Sequence, residues 1–302
     1  MINCRGEAFA CTGNKDVKRC LYMRRHRSTE RVYCTQANAS PHAFSKKINC
    51  CQKRSVIMSN GIGKEFMHMT KYQYLAASDQ MKGIQQPPLE LPYDRSKPII
   101  DLPKPEDIVV KNADVRRVIE SRTSIRNYSK KPLTLEELSY LLWCTQGVKE
   151  VIPGTATYRN VPSAGARHSL ETYLLVNNIT GLLPGAYRFL ASKHKLMEVN
   201  LQPDIADKIT EACLGQNIIK LCDVVFIWSA VAYRMKWRYG ERGYRYMHLD
   251  AGHVCQNLYL SAESIDCGVC AIAAFSDDNI NDLLSLDGDE EFVIYLAAAG
   301  KK

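Results

Sequence analysis

The chain has 302 residues, of which 46% are hydrophobic and 24% are charged, with 40 Lys and Arg against 32 Asp and Glu. This composition is ordinary for a soluble globular protein, and the length allows one large domain or two small ones. Residues 1–57 contain twelve of the basic and three of the acidic residues, so the other 245 residues, with 28 and 29, are close to neutral. A neutral folded part gives no indication of nucleic-acid binding.

The segment of residues 1–57 is basic and holds six of the twelve cysteines. It contains no sustained apolar period, no signal-peptide core and no membrane span. We interpret it as an unstructured leader, or as codons upstream of a true start at Met58 or Met67. A zinc module and a nucleic-acid-binding arm are the alternatives, although the cysteines lack the two close-set pairs of a zinc finger.

Residues 58–110 are punctuated by proline, which fixes φ and removes a hydrogen-bond donor. The sequence therefore predicts an extended arm, preceded by a short helix over residues 66–77. The prolines are Pro87, Pro88, Pro92, Pro98, Pro103 and Pro105. The folded domain is predicted to cover residues 111–302.

Helical and strand patterns follow one another in residues 111–302. Thr134, with Glu137 three residues later, forms a capping box that opens a helix ending at Gly147. The other predicted helices cover residues 114–121, 203–214, 243–265 and 277–284. The predicted strands cover residues 171–177, 186–190, 196–199, 222–233, 268–275 and 292–299. This order predicts an α+β domain with long helices around a central sheet.

Two guanidinium groups and two hydroxyls lie directly after the predicted helix 114–121. They belong to Arg122, Thr123, Ser124 and Arg126. Bidentate guanidinium groups with short hydroxyl donors are suited to a phosphate dianion. On an extended backbone the alternating residues Arg122, Ser124 and Arg126 share one face. The alternative is a solvated basic turn that binds nothing.

A second stretch, Pro162-Ser163-Ala164-Gly165-Ala166, is small and polar and precedes the predicted strand 171–177. Small residues let the backbone approach a flat ring, and Ser163 adds a hydrogen-bonding hydroxyl. Short residues are also common in ordinary loops, which is the alternative. We interpret His168, which follows, as a hydrogen-bonded structural residue and not as a general base.

Several other chemistries find little support in the sequence. It contains neither a Gly-x-Gly-x-x-Gly fingerprint nor a Walker-type loop, which argues against a Rossmann domain and an ATPase. Cys267 and Cys270 have the spacing of a redox pair, but they lie within an apolar strand pattern and not at a helix start. His248 and His253 are five residues apart and miss the i, i+4 spacing of helical zinc ligands. We therefore predict no metal site.

Taken together, these stretches resemble the FMN-dependent nitroreductase superfamily, and within it the SagB-type dehydrogenases, which include the azoline oxidases. The resemblance runs from about residue 66 to residue 302 and depends on the order and spacing of several short motifs. The matching stretches are residues 122–128, 162–166, 170–173, 181–187, 241–245, 250–253 and 256–258.

The resemblance implies one α+β FMN-binding domain, with a central, mostly antiparallel sheet flanked by helices. It also implies a homodimer that holds FMN in clefts at the subunit interface. The cofactor-binding residues that it implies are Arg122, Thr123, Ser124, Arg126 and Lys301 for the phosphate and ribityl groups, Pro162, Ser163, Ala164, Gly165 and Ala166 for the loop that crosses the flavin from the partner subunit, and Ala273 and Ala274 for the strand end near the isoalloxazine ring.

The sequence departs from the family pattern at three places. Ala166 stands where many nitroreductases have Asn, and Ala273-Ala274 stand where they have Glu-Gly, so side-chain contacts to the ring are reduced. Azoline oxidases have a Lys-Tyr pair, thought to abstract a proton, where this chain has Arg238 and Tyr239. Since arginine stays protonated and is a poor base, we predict that this pair orients or electrostatically stabilises a substrate.

The predicted function is FMN-dependent hydride transfer between NAD(P)H and an electron-poor small molecule. One alternative is a SagB-type dehydrogenase that oxidises azoline rings in a modified peptide, with Tyr239 as acid and base. Another is a flavin-binding protein without turnover.

The six cysteines after residue 57 lie in apolar patterns, and neither an export signal nor a transmembrane run is present. We therefore predict a cytoplasmic protein that binds neither membrane nor nucleic acid.

Overall fold

The computed structural model of this protein describes residues 61–302, so our interpretation of residues 1–57 lies outside the described residues. One structural unit covers Phe66–Lys302. No helix within residues 61–302 is long and apolar enough to cross a membrane. In the same range, no three His, Cys, Asp or Glu side chains are grouped as ligands for a metal ion.

Nine strands within residues 61–302 form a large sheet and a separate hairpin. They are β1 (Ile99–Asp101), β2 (Val148–Ile152), β3 (Ala156–Arg159), β4 (Leu170–Val176), β5 (Gly185–Leu190), β6 (Lys195–Asn200), β7 (Val224–Val231), β8 (Cys267–Ile272) and β9 (Glu291–Lys301). The large sheet has the order β1-β6-β5-β4-β7-β9-β8, and all of its neighbouring strands are antiparallel. Strands β2 and β3 form the hairpin.

Eight α-helices accompany these strands in the same part of the chain. They are α1 (Ile62–Met69), α2 (Val115–Ser121), α3 (Leu135–Gln146), α4 (Ile205–Ala212), α5 (Ile218–Leu221), α6 (Ala232–Tyr239), α7 (Gly243–Glu263) and α8 (Asp277–Leu283). The predicted capping box is present, because the Thr134 hydroxyl accepts from Glu137 N at 3.2 Å and the Glu137 carboxylate accepts from Thr134 N at 3.0 Å. An antiparallel sheet flanked by helices confirms the predicted α+β fold class.

Strands β4 and β7 lie in the middle of the sheet, and every residue in them is buried. Successive side chains of a strand point to opposite faces, so a strand covered on both faces reads as one continuous apolar run. In β7, Phe226 and Trp228 belong to the core shared with α3 and α7. Val225 and Ile227 belong to the core shared with α4 and α8.

Three predicted elements differ from the structure. The strand predicted for residues 268–275 is β8, which ends at Ile272, so Ala273 and Ala274 lie outside it. The strand predicted for residues 222–233 ends at Val231, and the chain then turns into α6. The apolar pattern did not reveal this change because α6 also buries Ala232, Met235 and Trp237. The helix predicted for residues 66–77 is α1, which ends at Met69. Strand β1 and the β2–β3 hairpin were not predicted.

Buried arginines hold the proline-punctuated segment against the sheet. Arg234 on α6 donates to Pro88 O at 3.0 Å, and Arg188 on β5 donates to Pro92 O at 2.9 Å. Both guanidinium groups also pair with the carboxylate of Glu171 on β4. The segment then adds β1 to the edge of the sheet beside β6. One ion network therefore connects this segment to α6, which carries Arg238 and Tyr239.

Candidate active site

The loop between β3 and β4 contains the small residues that were predicted to approach a ring. Ser163 Oγ donates to the Asp250 carboxylate at 2.5 Å, and the Ala164 amide donates to its other oxygen at 3.3 Å. Ser163 Oγ also accepts from His168 N at 2.9 Å. Burial raises the pKa of Asp250, although the two donors act in the opposite direction. One buried side chain of α7 therefore fixes the loop.

Arg238 and Tyr239, at the end of α6, lie directly against this loop. A Cβ atom added to Gly165 would lie 2.5 Å from the Tyr239 hydroxyl and 2.9 Å from Arg238 Nε. Gly165 also has φ +59°, in the left-handed region that favours glycine. The Arg238 guanidinium lies 5.7 Å from the centroid of the Tyr239 ring. The structure thus brings together the predicted flavin loop and the predicted substrate-orienting pair.

The predicted phosphate-binding stretch runs beside β8 and meets α7 at Tyr259. The Arg122 guanidinium lies 5.2 Å from the centroid of the Tyr259 ring, a cation–π contact. Ser124 Oγ is 3.1 Å from the Tyr259 hydroxyl, which also accepts from Ala271 N at 2.9 Å. Arg122 and Ser124 therefore both face Tyr259, as expected for alternating residues. The placement of Arg126 on the same face stays a prediction.

The cations of this stretch are available to an anion. Thr123 and Arg126 are exposed, and Arg122 is half-buried. Among the ion pairs of residues 61–302, neither guanidinium of the stretch has a carboxylate partner. By contrast, Arg116 on the preceding helix pairs with Glu120 at 2.8 Å.

Ala273 and Ala274 follow the end of β8, the edge strand of the sheet, and both are exposed. Ser124 forms a parallel bridge with Val269 of the same strand. From Val269 to Ile272, the last residue of β8, the strand rises by about 10 Å, and Ala273 follows directly. The phosphate-binding stretch therefore runs beside an edge strand that ends just before the two alanines.

Lys301 lies in a setting unlike that expected of a phosphate ligand. Its side chain is buried, and its ammonium group donates to the Glu137 carboxylate and to Ile265 O at 3.0 Å. Glu137 is also the capping-box residue of α3. Lys301 joins β9 to α3, so its assignment to the phosphate receives no support from this geometry.

Helix α7 separates the two halves of the predicted cofactor site, which are the 163–166 loop and the phosphate-binding stretch 122–126. Asp250 holds the loop, and Tyr259 holds Arg122 and Ser124. Residues nine apart on an α-helix differ by about 180° of rotation and about 13.5 Å of rise. One chain therefore presents the loop and the phosphate-binding stretch on opposite faces of α7.

The neighbouring histidine and cysteine are unsuited to proton transfer or redox chemistry. Burial and the nearby charge of Arg159 lower the pKa of His168 to about 3, so the ring is neutral near pH 7. Burial raises the pKa of Cys267 to about 12, which keeps this thiol protonated. Both results support the structural roles that the sequence indicated.

Two residues that build the site, Asp250 and Tyr259, were not among the predicted site residues, although Asp250 lies in the family-matching stretch 250–253. A signal for Asp250 was present, because it occupies the same helical face as Met247 and Val254, where a carboxylate requires hydrogen-bond donors. Tyr259 carried no comparable signal, because an aromatic residue on an amphipathic helix ordinarily belongs to the core.

The chain matches a known protein family. A family model described as the nitroreductase family matches residues 119–301, more than half of the chain. The chain belongs to the nitroreductase family. The matched range includes the loop, the phosphate-binding stretch and the Arg238–Tyr239 pair.

Three similar proteins illustrate the membership. The chain is 34% identical over 203 residues to a protein of Methanocaldococcus jannaschii named as a nitroreductase, which covers 67% of this chain and 96% of that protein. It is 29% identical over 154 residues to the trifolitoxin-processing protein TfxB of Rhizobium leguminosarum bv. trifolii, which covers 50% of this chain and 41% of TfxB. A chain of the E. coli microcin synthetase McbBCD complex matches with a TM-score of 0.50 and 17% identity, over 87% of this chain and 94% of that one. The likeness to the microcin synthetase chain shows the fold alone. The chain spans less than half the length of TfxB.

Membership of the nitroreductase family confirms the predicted superfamily, and with it an FMN-dependent oxidoreductase. The NAD(P)H donor, the substrate, the homodimer, the cytoplasmic location and the individual site residues stay predictions.

Proposed function

We propose that this nitroreductase-family protein transfers hydride from NAD(P)H, by way of FMN, to an electron-poor small molecule. The contact of Gly165 with Arg238 and Tyr239 carries the proposal, because it puts two polar side chains on the loop that the family resemblance assigns to the flavin. Bound FMN supplies a ring that takes up hydride from the donor and passes it to the acceptor. The side chains at Gly165 orient the acceptor over that ring.

The residues present fit a flavin mononucleotide. Residues 163–166 form a loop of small side chains in which Gly165 has φ +59°, and a Cβ atom there would displace the Tyr239 and Arg238 side chains. Arg122 and Arg126 supply guanidinium groups without carboxylate partners in the described part of the chain, and Ser124 adds a hydroxyl next to Arg122. A phosphate dianion receives strong, charge-assisted hydrogen bonds from such a set. We propose that these groups hold the phosphate end and that the loop supports the ring.

A second copy of the chain completes the site in this proposal. The two halves of the predicted site lie on opposite faces of α7 and are held by Asp250 and Tyr259. In a homodimer, the phosphate-binding stretch of one copy faces the 163–166 loop of the other. The placement of the halves within one chain supports the predicted homodimer.

An acceptor assay tests the proposed reaction. Without an acceptor, we expect the FMN-loaded protein to oxidise anaerobically no more than one equivalent of NADH or NADPH per flavin. Continuous oxidation is expected only when nitrofurazone or p-benzoquinone is present. Because the Tyr239 hydroxyl lies at the loop, Tyr239→Phe should lower kcat/KM for the acceptor about tenfold. Tyr158→Phe, at a tyrosine that is 45% exposed on the β2–β3 hairpin, is the matched control and should leave kcat/KM unchanged. Absence of acceptor-dependent oxidation with both nicotinamides would overturn the proposal.

Azoline oxidation, which the family resemblance implies, is the second candidate. The similarity over half of the chain to TfxB, named as a trifolitoxin-processing protein, favours a role in processing. The test is incubation of the FMN-loaded protein with an azoline-containing peptide, followed by mass spectrometry for the loss of two hydrogens. Because arginine is a poor base, Arg238→Lys should increase this activity if the reaction occurs. A peptide whose mass is unchanged with both forms excludes this candidate.

A further inference from the structure

The Arg238 guanidinium is half-buried at the loop but lacks a partner of its own. Within residues 61–302 it forms no ion pair and has no hydrogen-bond acceptor. It packs against Gly165 and lies 5.7 Å from the centroid of the Tyr239 ring. The other arginines around it all bond to the protein: Arg167 to Gly165 O and Thr155 O, Arg234 to Glu171, Pro88 O and His168 O, Arg242 to Tyr246 and Thr70 O, and Arg245 to Thr70 and Met67 O.

The surroundings of Arg238 are positively charged and the nearby carboxylates are engaged. Arg167 Nε donates to Gly165 O at 3.0 Å, at the residue against which Arg238 packs, and burial and the charge of Arg238 both lower the pKa of Arg167. Asp250 is bonded to the loop, and Glu241 is exposed and lies 3.9 Å from Lys236. An uncompensated guanidinium next to a second cation is stabilised by an anion from outside the protein.

We propose that Arg238 binds a carboxylate group on the electron acceptor, with the Tyr239 hydroxyl as a second donor. This inference rests on the proposed function, because it names the chemical class of the acceptor. A guanidinium fork matches a carboxylate with two parallel hydrogen bonds. The rings of Tyr239 and Tyr246, 4.8 Å apart and nearly perpendicular, form an aromatic wall beside it. The acceptor class is therefore an aromatic nitro or quinone compound that carries a carboxylate.

The test compares 4-nitrobenzoate with methyl 4-nitrobenzoate, which differ in charge and share the reducible nitro group. With the FMN-loaded protein we expect kcat/KM to favour the carboxylate by roughly tenfold or more. Arg238→Gln should abolish this preference, and Arg238→Lys should keep part of it. Lys236→Gln is the matched control, because residue 236 lies about 200° around α6 from residue 238 and its ammonium lies over Tyr244.

A binding measurement without turnover separates this inference from the proposed function. In the absence of a donor, the two probes are titrated against the oxidised FMN-loaded protein and the flavin absorption spectrum is followed. A lower Kd for 4-nitrobenzoate that is lost in Arg238→Gln supports carboxylate recognition, even if neither probe is turned over. Equal Kd values in the unaltered protein, or a preference that persists in Arg238→Gln, would refute it. Slower flavin reduction by NADH or NADPH in Arg238→Gln, with the acceptor preference unchanged, assigns the arginine to the donor phosphates and also overturns the inference.

Discussion

Replacing Arg122 or Arg126 by alanine is expected to weaken FMN binding by roughly 10- to 100-fold, and replacing both by more than either change alone. The reason is the loss of charge-assisted hydrogen bonds to the phosphate from guanidinium groups that have no carboxylate partner in residues 61–302. Titration of the apoprotein with FMN, followed by quenching of flavin fluorescence, gives the Kd of each variant. FMN retained at full occupancy in Arg126→Ala would contradict the assignment.

The matched control is Arg116→Ala, which removes an arginine from α2, the helix directly before the phosphate-binding stretch. Arg116 is 87% exposed and paired with Glu120, so its loss should leave the FMN Kd unchanged. Subunit mixing extends the test to the proposed dimer. The Arg122→Ala/Arg126→Ala chain keeps an intact 163–166 loop, and a chain carrying Gly165→Trp keeps an intact phosphate-binding stretch. We expect a dimer of these two chains to bind one FMN, because one of its two shared sites is then intact. A mixed dimer without FMN would argue against a site shared between two copies.

Replacing Glu171 by glutamine is expected to lower the free energy of unfolding by about 3–5 kcal/mol. Glu171 is 3% exposed, pairs with Arg188 at 3.3 Å and with Arg234, and accepts from Leu91 N at 3.1 Å. Without the carboxylate, two buried guanidinium groups are left uncompensated. Urea unfolding gives the free energy, and limited proteolysis should show faster cleavage near Leu91. A loss below about 1 kcal/mol would contradict the importance of this network.

The loss of unfolding free energy caused by Glu171→Gln should depend on pH. Burial by itself raises the pKa of Glu171, but Arg234 and Arg188 outweigh it and the net pKa is lowered. The carboxylate therefore stabilises the folded state above its unfolded pKa of about 4.3, and this contribution is lost as the pH falls through the lower folded value. The difference between the protein and Glu171→Gln should shrink below about pH 4. Glu120→Gln, at an exposed ion pair, should differ by less than about 1 kcal/mol at all pH values.

Local chemistry explains which elements could be predicted from the sequence. The capping box at Thr134 and the long apolar stripe of α7 are set by neighbouring residues, so their patterns predict them correctly. Strand β1 has three residues at the edge of the sheet, and an edge strand of that length leaves no apolar period. The switch from β7 to α6 is hidden because both elements are buried.

The candidate site was predictable in its residue types but not in its assembly. In the sequence, two guanidinium groups near small hydroxyls indicated an anion-binding site, and the loop was recognisable by its small residues. That Asp250 and Tyr259 hold these two halves on opposite faces of α7 depends on contacts between distant parts of the chain. The internal ion pair of Lys301 depends equally on where β9 ends beside α3.

FMN-dependent hydride transfer from NAD(P)H can be followed in the visible absorption spectrum of the purified protein during anaerobic titration with NADH and NADPH. We expect the absorption of one bound FMN per chain and its bleaching by one equivalent of at least one nicotinamide, with recovery when the acceptor is added. Protein that takes up no FMN after reconstitution would contradict the assigned cofactor. FMN that stays oxidised with both nicotinamides would contradict hydride transfer from NAD(P)H and favour flavin binding without turnover.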